Sequence, residues 1–184
     1  MTVRADELFD LTAKVAVVSD RRCRRHRHGL RPCARRAGAA VALADLDGTA
    51  AGAAAEKLVS EGHRAIGVRL DITDSKSAAA MAETVTARFG GIDILINNAA
   101  LMSEIPRSSL LDLPIEWFER ILRVNVMGAV VCAKAVRDSM VSRGGGRIIN
   151  GSSAGAFMPG RERRRTSASS ASSTTRAARR ACAL

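Results

Sequence analysis

Five short apolar segments, separated by longer stretches with helical patterning, constrain the fold of this chain more than any other feature. Each segment is a nearly continuous apolar run, as expected for a strand that is buried on both faces of a parallel sheet. The segments lie at residues 14–18, 39–45, 65–71, 92–100 and 146–153. Strands that alternate with helices are joined by right-handed crossovers and pair in parallel. The sequence therefore predicts an α/β fold with a doubly wound parallel sheet.

The stretches between the strands carry helix signals. Residues 75–91 can be capped by Asp74 or Ser75, whose side chains can accept hydrogen bonds from the first helical amides. Residues 114–141 begin with a proline suited to a helix start and keep an apolar stripe. We expect a single domain over residues 1–184, with ligands bound beyond the carboxyl ends of the strands.

The net charge of +11 is concentrated in two segments. Residues 19–37 hold eight arginines and one aspartate, and residues 161–184 hold seven arginines and one glutamate. The remaining residues contain 14 basic and 16 acidic side chains, so their net charge is −2. Such segments could bind a polyanion such as nucleic acid, but they lack interleaved aromatic residues. A second alternative is a zinc site in the first segment, whose C-x2-H-x-H-x4-C spacing (Cys23, His26, His28 and Cys33) fits no ordinary zinc finger.

Targeting signals are not visible in the sequence. The first residues are mixed in charge, and no apolar run approaches the length of a membrane span. Four cysteines without a secretory signal indicate reduced thiols. We therefore expect a cytoplasmic protein with no membrane partner.

Polar side chains follow each of the later predicted strands, where parallel strands bring their carboxyl ends to one edge of the sheet. Any one of them could be an ordinary turn or cap residue. Their convergence on a single edge favours a binding site. The residues are Asp45, Asp71, the "NNAA" run at 97–100, Ser152 and Ser153, and an unusual helical asparagine, Asn125, accompanies them.

Several of these segments together resemble the classical short-chain dehydrogenase/reductases. The resemblance covers residues 11–18 and 39–160 and depends most on "NNAA", "NVMG" and "GRIINGSS" in this order. It implies a Rossmann-type domain that transfers hydride between a nicotinamide cofactor and an alcohol or ketone. Family members are usually homo-oligomers, a state that we do not carry over to this chain.

The resemblance also implies roles for individual residues. Asp45 would bind the adenosine ribose and favour NAD over NADP, and Asp71 and Ile72 would flank the adenine. Catalysis would involve Asn125, through a proton-relay water held by its helix, and Ser153, through a hydrogen bond to the substrate oxygen. No metal is implied. The residues that would line the central cofactor site are Asn97, Asn98 and Ala99.

Two motifs of the family should fall in the arginine-rich segments, and neither is present. The phosphate loop T-G-x-x-x-G-I-G should follow the first strand, where the sequence reads "SDRRCRRHRHG". Glycines there let backbone amides approach a pyrophosphate. The catalytic Y-x-x-x-K should begin at position 166, but Thr166 and Ser170 stand there and the chain contains no tyrosine. We therefore expect a chain of enzymatic lineage that is impaired in cofactor binding and turnover.

Both segments can be interpreted as out-of-frame translations. A shift of one base forward across residues 20–27 permits T-G-G-A-G-G-I-G, and the opposite shift across residues 165–170 permits Y-x-S-x-K. We expect residues 19–37 and 161–184 to pack poorly against the core. The family's strands six and seven are expected to be missing beyond residue 184, so the sequence does not identify the substrate. The alternative is a non-catalytic Rossmann-like protein whose arginine-rich segments bind polyanions.

Overall fold

Five parallel strands form one sheet in the computed structural model, which describes residues 10–20, 38–101, 104–106 and 111–152. The strand order is β3-β2-β1-β4-β5, and every neighbouring pair is parallel. This order confirms the predicted α/β fold with a Rossmann-type sheet. The strands are β1 (Val15–Asp20), β2 (Ala40–Asp45), β3 (Ala65–Arg69), β4 (Ile94–Asn97) and β5 (Arg147–Asn150).

Within the described ranges, four α-helices connect or follow these strands: α1 (Gly48–Ser60), α2 (Ser75–Phe89), α3 (Ile115–Leu122) and α4 (Gly128–Ser142). The cap of α2 is Asp74, whose side chain accepts a hydrogen bond from the amide of Lys76 at 2.9 Å. The single helix predicted over residues 114–141 is interrupted by a π-helical turn at Arg123–Met127. The sequence pattern did not predict this turn, because apolar residues at spacings of three and four continue through residues 123–127 without a break.

The core lies on both faces of the sheet. On one face, α2 and α4 cover strand residues such as Val15, Val17 and Leu95. On the other face, α1 packs over Val41 and Leu43. Burial of both faces explains why the strands are continuous apolar runs rather than alternating ones. Among the described residues, no helix is both long and apolar enough to cross a bilayer.

Two glycines allow close approaches that position the carboxyl edge of the sheet. A Cβ atom on Gly67 of β3 would collide with the backbone of Ala51 in α1, so α1 lies directly against that strand. A Cβ atom on Gly128 would stand 2.7 Å from Cδ1 of Ile72, so the start of α4 contacts the loop after β3. Separations under about 3 Å require one of the two groups to move.

A buried carboxylate joins three elements at the amino edge of the sheet. Asp93 is 4% exposed and accepts hydrogen bonds from the amide of Val15 at 2.9 Å and from Nε of Arg143 at 3.0 Å. Burial alone would raise its pKa, but the Arg143 hydrogen bond, the Val15 amide and the charge of Lys14 outweigh that effect and lower the pKa. This ionised group holds β1, the start of β4 and the end of α4 together.

The predicted poor packing of residues 19–37 and 161–184 falls almost entirely outside the described residues, as does the zinc alternative. Only Ser19 and Asp20 of the first segment are described, and both are buried at the end of β1. That placement contradicts the prediction for these two residues, because both belong to the central strand of the sheet. Their side chains contribute to the site below.

Candidate functional site

At the carboxyl edge of the sheet, polar residues of neighbouring strands form two in-register pairs. Asp20 of β1 lies in register with Asp45 of β2, and Ser19 of β1 lies in register with Asn97 of β4. In parallel strands, residues in register point to the same face of the sheet. Asp20 and Asp45 are 6% and 2% exposed, so two carboxylic side chains are buried side by side at this edge.

A cavity of about 280 Å³ opens beyond this edge, and we call it the edge cavity. Its apolar surface comes from the loops after β2, β3 and β4 and from the π-helical turn. Its charged groups come from β1, the loop after β3, and the helix α3 with its π-helical continuation. The lining residues are Asp20, Leu46, Leu70, Asp71, Ile72, Thr73, Ala99, Arg120, Arg123 and Val124.

Three of the predicted cofactor residues meet in the edge cavity: Asp71, Ile72 and Ala99. Asp45 and Asn97 end the neighbouring strands, but neither lines the cavity. Arg120 and Arg123 line it and were not predicted from the sequence. Their separation of three residues places both on one side of a helix. In the sequence alone, two arginines at this spacing are indistinguishable from the solvent-exposed face of a helix.

Asp71 is the polar anchor of the edge cavity. One of its oxygens, Oδ1, accepts hydrogen bonds from the amide and the hydroxyl of Thr73, at 2.9 and 2.7 Å. These two bonds, and then the charges of Arg69 and Arg123, lower the pKa of Asp71. No described residue donates a hydrogen bond to its Oδ2. The side chain is therefore an ionised acceptor that is oriented by Thr73 and can receive a donor from a ligand.

Asp45 makes a hydrogen bond within the protein in addition to its predicted contact with a ribose. Its Oδ1 accepts a hydrogen bond from the amide of Asp47 at 3.1 Å, directly before α1. Asp47 in turn caps α1 by accepting from the amide of Ala50 at 3.0 Å. Asp45 thus fixes the turn between β2 and α1, and its contact with a ribose stays a prediction.

Ser19 fastens the "NNAA" turn to the central strand. Its hydroxyl donates to the carbonyl of Ile96 at 3.3 Å and accepts from the amides of Asn98 and Ala99 at 3.2 and 3.4 Å. This contact fixes Ala99 in the cavity wall. The sequence signal that could have revealed it is a lone hydroxyl residue directly after the four apolar residues of β1.

Asn97 connects β4 with β5 and α4. Its Nδ2 donates to Oδ1 of Asn150 at 2.9 Å and to the carbonyl of Ala129 at 3.4 Å. Its Oδ1 is buried and has no hydrogen-bond partner among the described residues. The side chain therefore ties the ends of two strands to the helix that follows the π-helical turn.

The side-chain amide of Asn125 makes two hydrogen bonds with the backbone of Leu101. Its Oδ1 accepts from the amide of Leu101 at 2.7 Å, and its Nδ2 donates to the carbonyl of Leu101 at 3.2 Å. Asparagine is unfavourable inside an ordinary helix, but here it lies in the π-helical turn and secures the chain after β4. The proton-relay role of its helix stays a prediction.

Of the two predicted catalytic residues, Asn125 belongs to the part of the chain that the structure describes and Ser153 does not. Ser152 is exposed after β5, whereas Ser153, Thr166 and Ser170 lie outside the described residues. The described residues therefore cover the adenosine side of the predicted cofactor site and the strand ends beside it.

Comparison with known proteins assigns the chain to a family. A crystal structure of a short-chain type dehydrogenase/reductase from Mycobacterium marinum superposes with a TM-score of 0.76 and 26% identity, covering 94% of this chain and 69% of that one. A family model described as enoyl-(acyl carrier protein) reductase matches residues 33–182. The chain belongs to the short-chain dehydrogenase/reductase family.

Individual relatives of this short-chain dehydrogenase/reductase include oxidoreductases of different bacteria. An uncharacterised oxidoreductase of Mycobacterium tuberculosis is 41% identical over 123 residues, which are 67% of this chain and 50% of the relative. The cis-4-hydroxycyclohexanecarboxylate dehydrogenase of Sinomonas cyclohexanicum is 35% identical over 116 residues, which are 63% and 45% of the two chains. The chain thus spans about half the length of these relatives.

Members of the family typically use NAD or NADP, and the described residues fit only part of such a cofactor. The adenosine end fits the edge cavity, because apolar walls surround Asp71, an oriented acceptor. The pyrophosphate fits poorly, because the eight residues that follow β1 in the sequence, "RRCRRHRH", hold no glycine that would let backbone amides approach it.

Proposed function

We propose that this chain is an oxidoreductase-type protein whose edge cavity binds the adenosine end of a nicotinamide dinucleotide. The observation that carries the proposal is the meeting of Asp71, Ile72 and Ala99 in one cavity at the carboxyl edge of the sheet. Adenine is flat and apolar on its faces and carries an exocyclic amino group. The apolar walls suit the faces, and Oδ2 of Asp71, to which no residue of the described ranges donates, suits the amino group.

Asp45 supports a preference for NAD over NADP. It ends β2 as a buried side chain beside the turn into α1. In this type of fold, an acidic residue in this region accepts hydrogen bonds from the ribose hydroxyls. A 2′-phosphate in that place would face the Asp45 carboxylate and would be repelled.

The reaction that we infer for the lineage is hydride transfer between NAD(P) and an alcohol or ketone, and we propose that it is impaired in this chain. A carbonyl reduction needs a proton donor for the developing alkoxide, and the sequence contains no tyrosine to serve as one. Loss of a positioned general acid typically lowers the rate by about 10²- to 10⁴-fold.

The free, buried thiol of Cys132 supports a cytoplasmic location.

Adenosine binding by the whole chain tests the proposed site. The only tryptophan of the sequence, Trp117, stacks on the guanidinium of Arg120 at 5.2 Å, and Arg120 lines the edge cavity. Tryptophan fluorescence therefore reports on ligands in the cavity. We expect saturable adenosine binding that Asp71→Asn weakens about tenfold, in keeping with the loss of one hydrogen bond to a charged acceptor.

The matched control is Glu83→Gln, which removes an exposed carboxylate of α2 outside the cavity. It should leave adenosine affinity unchanged. Equal affinity of the Asp71 and Glu83 variants would contradict the proposed site.

For the reaction, a panel of alcohols and ketones should include a cyclic secondary alcohol that bears a carboxylate, because the Sinomonas relative is named for such a compound. Rapid NAD-dependent turnover by the unaltered chain would contradict the impairment.

A further inference from the structure

Thr73 holds the carboxylate of Asp71 by one of its two oxygens. The amide and the hydroxyl of Thr73 both donate to Oδ1, at 2.9 and 2.7 Å. In the part of the chain that the structure describes, no group donates to Oδ2. Thr73 also lines the edge cavity beside Asp71. One oxygen of the carboxylate is therefore held by the protein, and the other is available to a ligand.

The backbone of Asp71 is fixed as well. Its amide donates to the hydroxyl of Ser77 at 2.9 Å, and its carbonyl accepts from the amide of Asp74 at 3.1 Å. Together with the two bonds from Thr73, these contacts hold both the main chain and the side chain of Asp71. A ligand therefore meets an acceptor that is oriented before binding, which lowers the entropic cost of association.

We propose that Thr73 is a positioning residue which, through Asp71, makes the edge cavity select an aminopurine over an oxopurine, so that adenosine binds more tightly than inosine. This inference rests on the proposed adenosine site and adds the residue that determines which base the site accepts. Adenine carries an amino group where hypoxanthine, the base of inosine, carries an oxo oxygen. An ionised carboxylate accepts a hydrogen bond from the amino group but has no hydrogen to donate to the oxo oxygen.

The surroundings of Asp71 favour this selectivity because they keep its carboxylate ionised. The hydroxyl of Thr73 contributes most to lowering the pKa of Asp71, followed by the amide of Thr73. Burial opposes them, and the charges of Arg69 and Arg123 add smaller favourable effects. The other charged residues that line the cavity are Asp20 and Arg120. Asp71 therefore acts as an acceptor at neutral pH.

The test compares adenosine with inosine on the whole chain, by Trp117 fluorescence and by displacement of one nucleoside with the other. We expect adenosine to bind at least about tenfold more tightly, as one hydrogen bond to a charged acceptor implies. Thr73→Val has nearly the same shape and keeps the amide but lacks the hydroxyl, so the affinity ratio should fall several-fold. Thr73→Ser retains the hydroxyl and should retain the ratio, and the control Glu83→Gln should also retain it.

Asp71→Asn provides a test in the opposite direction. The two donors of Thr73 would hold the amide oxygen of the new side chain, which places its amino group where Oδ2 of Asp71 lies. That amino group donates to an oxo oxygen, so the variant should bind inosine more tightly than adenosine. Adding Thr73→Val to Asp71→Asn removes one of the two donors and should bring the ratio back toward one.

Two readouts distinguish positioning from a merely structural role of Thr73. A loss of packing would weaken adenosine and inosine alike and leave their ratio unchanged, whereas misorientation of Asp71 changes the ratio. In the ligand-free chain, a carboxyl NMR titration should show a higher pKa of Asp71 in Thr73→Val and little change in Thr73→Ser, because only the valine variant loses a donor to the ionised form.

The outcomes separate this inference from the proposed function. Saturable adenosine binding with an unchanged ratio, or an unchanged pKa of Asp71, in Thr73→Val would refute the role of Thr73 and leave the adenosine site standing. Inosine that binds the unaltered chain as tightly as adenosine would overturn the selectivity, since a guanidinium of the cavity would then supply the donor that Asp71 lacks. Absence of saturable adenosine binding would refute the site itself. If Thr73→Val does not fold, the preference of Asp71→Asn decides, and a preference for adenosine in that variant would refute the inference.

Discussion

Gly128→Ala tests how closely the π-helical turn and α4 approach the edge cavity. A Cβ atom at this position would stand 2.7 Å from Cδ1, 2.8 Å from Cγ1 and 3.2 Å from Cβ of Ile72. Three short contacts with one side chain cannot be relieved by a small rotation. Ile72 must therefore move, and it lines the edge cavity.

The magnitude follows from two opposing effects. Overpacking of a fitted site costs about 1–3 kcal/mol, whereas alanine is favoured over glycine in a helix by up to about 1 kcal/mol. We therefore expect Gly128→Ala to lower the free energy of unfolding by about 1 kcal/mol. Displacing an apolar wall of a binding site by about the size of one methylene group typically changes ligand affinity by about tenfold. We therefore expect Gly128→Ala to weaken adenosine binding by about that factor as well.

The matched control is Gly52→Ala in α1, where an added Cβ atom would have no neighbour within 4 Å. It should raise stability slightly and leave adenosine binding unchanged. Removing Cδ1 with Ile72→Val should partly restore both quantities in Gly128→Ala. Urea unfolding and Trp117 fluorescence measure the two effects, and equal behaviour of the two alanine variants would refute the close approach.

Three further changes probe the supports of the site. Gly67→Ala places a Cβ atom against the backbone of α1, which cannot rotate away, so it should lower the free energy of unfolding by about 3 kcal/mol. A loss in urea unfolding that is no larger than for Gly128→Ala would contradict this packing. Asn125→Ala leaves the amide and carbonyl of Leu101 without their partner, and urea unfolding should show a loss of about 1–3 kcal/mol, with Asn125→Asp intermediate because it keeps the acceptor. The pKa of Asp93 is lowered in the fold, so its stabilisation is present above the ordinary carboxyl pKa of about 3.9 and is lost as the pH falls through the folded value. Arg143→Gln should cost about 3 kcal/mol at pH 7 and flatten the acid limb of the stability profile, and an unchanged limb would contradict the ion pair.

The sheet could be predicted from the sequence because burial on both faces makes each strand a visible apolar run. The strand ends were less certain. The fourth segment, residues 92–100, was predicted as a strand that runs into a polar turn, without the residue at which the strand ends; β4 ends at Asn97, where the amides of the next two residues turn toward the hydroxyl of Ser19. Turns of this kind depend on a contact between residues that are far apart in the sequence.

The site was only partly predictable for a similar reason. Asp71 and Ile72 follow a recognisable strand and lie in the edge cavity, whereas their contact with an adenine stays a prediction. Arg120 and Arg123 belong to a helix that is distant in sequence, and only the fold brings them opposite Asp71. Asp20 was grouped with the arginine-rich segment by composition, although it completes β1.

Mapping of adenosine binding by amide chemical shifts on the whole chain tests the central claim most directly. Spectra recorded with and without adenosine should show the largest changes at Asp71, Ile72, Thr73 and Ala99, which line the edge cavity, and none at the distant edge around Asp93. Changes confined to the arginine-rich segments, or changes spread evenly over the surface, would contradict an adenosine site in the edge cavity.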